Sequence, residues 1–134
     1  VARGDLRTLT REQDERVRTA MRGIVDANLP GTDASITIDS GYPPMAPTEG
    51  NAKLLSLYSK ASEDYGFGPV IAINPRNAGA ADISFVADKV EMALDGIGMM
   101  GSGGHTVDEL GDLDTLDSQT IRAAITLYRL SLQH

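Results

Sequence analysis

Between Gly96 and Gly104 the chain carries five glycines in nine residues, and His105 follows directly, with Asp108 and Glu109 close behind. Glycine at that density allows close backbone approach or positive φ, and either suits a site. A neutral imidazole oriented by a neighbouring group is a common zinc ligand. One histidine does not make a zinc site, because three or four ligands must converge. The only other histidine, His134, stands at the chain end, and no cysteine is present. Any zinc must therefore be held by histidine and carboxylates, most of them from elsewhere. The alternative for His105 is an ordinary surface or capped loop histidine.

Two further chemistries are suggested by the same stretch and fail on their own terms. The loop lacks the following Lys and Ser/Thr of a phosphate-binding strand-to-helix turn. Ser102, His105 and Asp108 supply the residue types of a catalytic triad. Residues so close on one loop seldom face one another as nucleophile, base and orienter, and no nucleophile elbow is present.

The elements that must position this loop are legible in part. Thr10 and Gln13 form a capping-box signature, and Val17, Ala20, Met21, Ile24 and Val25 recur at helical spacing, which predicts an amphipathic helix ending near Asn28-Leu29-Pro30-Gly31. Ala34 to Ile38 alternates and predicts a strand with one wet face. Ser40 to Gly50 holds three prolines and two glycines, an extended linker and the best domain boundary. Helical periodicity resumes from Asn51 to Tyr65 and is stopped by Gly66-Phe67-Gly68-Pro69. Val70 to Ile73 predicts a short buried strand, Asn74 to Gly79 a loop, Ala80 to Asp88 a short helix, and Val90 to Leu94 another strand. Asp114 and Asp117 open a last helix whose apolar stripe is Ile121, Ala124, Ile125, Tyr128 and Leu132. Alternating helix and strand predict a layered α/β fold.

The chain has 134 residues, the size of one ordinary domain or of parts of two. Lys plus Arg number 12 against 19 Asp plus Glu, scattered rather than blocked, which argues against nucleic acid or an anionic membrane surface as a partner. No apolar run is long enough to span a membrane, so a soluble protein is expected; cytoplasm, periplasm and secretion remain equal alternatives. Val1-Ala2-Arg3 reads as a strand entered midway, so the numbering is expected to start inside a larger protein.

At Arg76-Asn77-Ala78-Gly79-Ala80-Ala81-Asp82 and Gly101-Ser102-Gly103-Gly104-His105-Thr106-Val107-Asp108-Glu109, in this order and separation, the sequence resembles the di-zinc metallopeptidase family. That family includes glutamate carboxypeptidases, aminoacylases, acetylornithine deacetylase and succinyl-diaminopimelate desuccinylase. The resemblance implies the C-terminal part of a three-layer zinc-exopeptidase catalytic domain over residues 42–134. Residues 1–41 would be the second half of an α+β lid domain, through which such enzymes commonly form homodimers. By the same resemblance His105 is a terminal zinc ligand, one of those that hold two zinc ions. Gly79, Ala80 and Ala81 form a turn whose amides help hold the substrate carboxylate, and Asp82 opens a helix. Alanines stand where the family often has glycine or a hydroxyl residue, which leaves the backbone donors in place. Tyr42 stands about where carboxypeptidase-like members carry an arginine for that carboxylate. The other zinc ligands and the glutamate general base lie upstream in the family, so no catalytic residue is expected in this chain, and the missing N-terminal part of the same protein is its expected partner. The implied substrate is a peptide or an N-acyl amino acid. The alternative is a catalytically inert fragment or an interaction module without metal.

Overall fold

Thr10 caps the first helix as its spacing predicts: Thr10 Oγ1 accepts the Gln13 amide at 3.1 Å, and Gln13 Oε1 accepts the Leu9 amide at 2.8 Å. The helix, α1, runs Arg11–Asp26. Asp14 and Arg18 pair one turn apart on it at 2.6 Å. The computed structural model describes residues 1–79 and 81–133. Within them the chain forms two compact units, one made of Val1–Thr48 and Ile73–Glu91, the other of Glu49–Ala72 and Met92–His134.

In the first unit α1 buries no residue fully; Val17, Met21 and Val25 form a half-buried stripe while Ile24 is exposed. Arg11 reaches Asp88 at 2.9 Å. The short helix expected over residues 80–88 is a single 3-10 turn, Asp82–Phe85, and a second such turn, Pro75–Asn77, interrupts the expected loop. Asn74 caps the latter by accepting the Arg76 amide at 3.0 Å.

The second unit is built on α2, Glu49–Asp64, and α3, Leu116–Ser131. Gly66 and Gly68 take φ of +86° and +80°, a left-handed exit that ends α2 where the sequence places the stop. A 3-10 turn, Leu113–Thr115, leads into α3. The face that α3 turns inward is polar: Gln119 and Thr126 are buried, whereas Tyr128 and Leu132 of the expected apolar stripe are exposed. Tyr58 Oη donates to Gln119 Oε1 at 3.1 Å, and Arg122 donates to Ser62 Oγ at 2.8 Å and to Gln119 Oε1 at 2.9 Å. The Arg122 guanidinium also lies 5.0 Å from the Phe67 ring centre. Asn51 Oδ1 accepts the Ala93 amide at 2.8 Å and holds that buried residue against α2.

Among the described residues three α-helices and two short strands give an α/β chain that is mostly helical. The strands are β1, Gly101–Ser102, and β2, Leu110–Gly111, paired antiparallel. The three strands expected at 34–38, 70–73 and 90–94 are absent; those residues are irregular. A strand exists only where a neighbour completes its ladder, and no ladder partner lies beside any of the three among the described residues. The same shortage appears in burial. Only Tyr58, Ala61 and Ala93 are fully buried apolar residues among those described. The chain exposes 10485 Å². Two entirely separate folded units of half its mass would expose about 8,200 Å² by the usual size scaling.

Candidate functional site

The glycine loop is a short hairpin, and two of its glycines, Gly101 and Gly103, are sterically required. A Cβ on Gly101 would collide with the Leu110 carbonyl oxygen across the β1–β2 pair. At Gly103, whose φ is +65°, a Cβ would stand 2.8 Å from the Asp108 carbonyl oxygen. The hairpin is tied to the start of α3: the Met100 amide donates to Thr115 Oγ1 at 2.9 Å, and the Asp112 amide to the Met100 carbonyl at 2.8 Å.

His105 sits at the tip of this hairpin, exposed, with φ of +65°, the one non-glycine residue with positive φ among those described. A side chain in the left-handed region persists only where its surroundings impose it, and such outliers concentrate at sites. The surroundings are visible. Glu109 Oε2 accepts the His105 main-chain N–H at 3.1 Å, Thr106 Oγ1 donates to the Gly103 carbonyl at 2.6 Å, and the Asp108 amide donates to Thr106 Oγ1 at 3.2 Å. Glu109 therefore supports the backbone of His105 rather than its imidazole. The ring is left to solvent with its nitrogens available. No hydrogen bond joins the side chains of Ser102, His105 and Asp108 among the described residues, in keeping with setting the triad aside.

The turn at 79–82 belongs to the first unit. Gly79 is exposed with open space at its Cβ position, and Ala80 lies outside the described residues. The Ala81 carbonyl accepts from the Ser84 amide at 3.0 Å and from Ser84 Oγ at 2.8 Å, which turns the chain into the 3-10 segment. Among the described residues neither the Gly79 nor the Ala81 amide donates to a protein acceptor, so both donors stay available to an anion.

Tyr42, forty residues earlier in the chain, is brought to this turn. Its hydroxyl donates to Asp82 Oδ1 at 3.0 Å, and its ring tilts against Phe85 at 5.1 Å between centres. The hydrogen bond to the Asp82 carboxylate, and then its charge, hold the Tyr42 phenol above its usual range. The structure thus joins Tyr42 to Asp82, a contact the spacing did not announce; the Asp and the aromatic were each visible, but nothing in their separation marks a pair.

As to metal, no group of three or more His, Cys, Asp or Glu among the described residues could hold an ion. The His105 ring is exposed, and any metal held by it would need donors from outside the described residues. No helix among them is long and apolar enough to cross a membrane. No family model, curated protein or solved structure matches the chain.

Proposed function

We propose that this chain is the C-terminal portion of a zinc-dependent exopeptidase or amidohydrolase that cleaves a peptide or N-acyl amino-acid amide bond. The observation that carries the reading is His105: an exposed imidazole held at left-handed backbone by a glycine hairpin and by Glu109, inside the segment that resembles the di-zinc family. Two zinc ions, if held there, would polarise the scissile carbonyl and lower the pKa of a bound water. His105 would be one ligand to them. The amides at Gly79, Ala80 and Ala81 would receive the substrate carboxylate, and Tyr42 would fix Asp82 at the turn's end. The general base and the remaining ligands come from the polypeptide upstream, and the lid half in 1–41 carries dimerisation. By itself the chain is inert. The finer architecture, a three-layer exopeptidase domain, belongs to the same proposal; the irregular segments at 70–73 and 90–94 are where its sheet would be completed.

The test is hydrolysis of a panel of N-acetyl amino acids by the complex of this chain with its upstream polypeptide. Activity should be abolished by a chelator, restored by zinc, and reduced at least a hundredfold in His105→Ala. Chelator-resistant turnover would overturn the reading.

A further inference from the structure

The base of the hairpin that carries His105 is covered by a thioether. Gly101 and Gly111 face each other across the β1–β2 pair, and neither brings a side chain to it. Met99 supplies one. A Cβ built on Gly111 would collide with the Met99 Cε and stand 3.5 Å from its Sδ, so the thioether lies where a side chain of residue 111 would be. Met100, the next residue, holds the hairpin through its main chain: its carbonyl accepts the Asp112 amide, and its amide donates to Thr115 Oγ1.

The chain has no cysteine and five methionines, so thioethers are its only sulfur. Met99 is 43% and Met100 54% exposed, whereas Met21, Met45 and Met92 are half-buried. A thioether open to solvent is open to a hydroperoxide. With hydrogen peroxide the sulfur lone pair attacks one oxygen, the O–O bond breaks, and the sulfoxide forms as water leaves. Sulfur loses two electrons and the peroxide gains them. The product is polar and requires hydration where the thioether made an apolar contact. Packed on the Gly111 Cα it forgoes that hydration, so the side chain turns out to solvent and leaves the glycine pair bare. Oxidation of Met100 leaves the hairpin closed, because its hold is through main-chain groups.

We propose that Met99 is a peroxide-sensitive modification site whose oxidation to the sulfoxide opens the base of the His105 hairpin. Reduction by a thiol-dependent sulfoxide reductase closes it again. No metal takes part, so the outcome is independent of the zinc reading.

The experiment treats the full chain with hydrogen peroxide, follows each methionine by peptide mass spectrometry, and reads the Asp112 amide by hydrogen exchange. Met99 and Met100 should take up oxygen roughly threefold faster than the three half-buried methionines. Exchange at Asp112 should rise roughly fivefold in the oxidised protein, with α2 unchanged, and fall back after treatment with the reductase and a dithiol. Met100→Leu should behave as the natural sequence does. Met99→Leu, an apolar replacement of similar volume, should keep slow exchange after peroxide, and Met99→Gln should exchange fast without it. Oxidation of Met99 no faster than that of Met21, Met45 and Met92 would overturn the proposal. So would unchanged exchange in the oxidised protein, or an equal rise in peroxide-treated Met99→Leu.

Discussion

Within the second unit, the α2–α3 pair and the His105 hairpin are built on opposite terms. Tyr58, Ser62, Gln119 and Arg122 bond to one another across sixty residues of sequence and are buried or half-buried. The tip of the hairpin is held by contacts within a few residues of His105, all of them exposed. The first region stabilises the unit; the second holds one ring in an uncommon backbone conformation and leaves it accessible. Substitutions should separate the two, with the helix pair controlling stability and the hairpin controlling ligand capacity.

The largest effect is expected at Arg122→Ala, which removes two charged hydrogen bonds and the contact with Phe67. The cost should be about 2–3 kcal/mol in urea unfolding followed by circular dichroism. Gly101→Ala should cost about 1–3 kcal/mol locally by forcing β1 from β2; amide exchange should show the hairpin opening with the helices intact, and a cooperative loss of both would break the distinction. Tyr58→Phe removes the bond to Gln119 and should cost about 1 kcal/mol. His105→Gly should stabilise by about 0.5 kcal/mol, because glycine relieves the left-handed cost and returns part of the gain as chain entropy. The smallest effect is that of pH. Hydrogen bonds from Lys60 and Arg129 hold the Asp64 carboxyl below its ordinary 3.8, so that contribution is present above this value and lost as pH falls through the depressed one. The same carboxylate raises Lys60 above 10.5, a contribution present below that value and lost as pH rises through the raised one. Midpoints of unfolding measured across pH should thus be level through neutrality and fall at both extremes; in Asp64→Asn both falls should shrink.

How much the sequence disclosed follows from the range of each interaction. The Thr10 cap and the glycine stop after α2 depend on neighbours within a turn and stand where the spacing places them, whereas α3 begins at Leu116, two residues after Asp114, which lies in the preceding 3-10 turn. The strands at 34–38, 70–73 and 90–94 depend on partners that local pattern does not contain. The stripe on α3 misled for a related reason: periodicity identifies an apolar face but not what covers it, and here the polar face carrying Gln119 and Arg122 packs on α2. At the candidate site, the glycine density announced an unusual backbone around His105, and the structure locates it at the histidine itself. The part played by Glu109, support of the main chain, was hidden, because an acid four residues on can equally serve the ring or the backbone.

The central claim is that His105 is a zinc ligand completed from outside this chain. Its most direct test is the zinc content and intact mass of the purified protein together with whatever polypeptide accompanies it, for the natural sequence and for His105→Ala. The account predicts two zinc ions per complex with an N-terminal partner, and fewer in the variant with the complex still assembled. An unchanged zinc count in the variant, or an assembled complex without zinc, would contradict it.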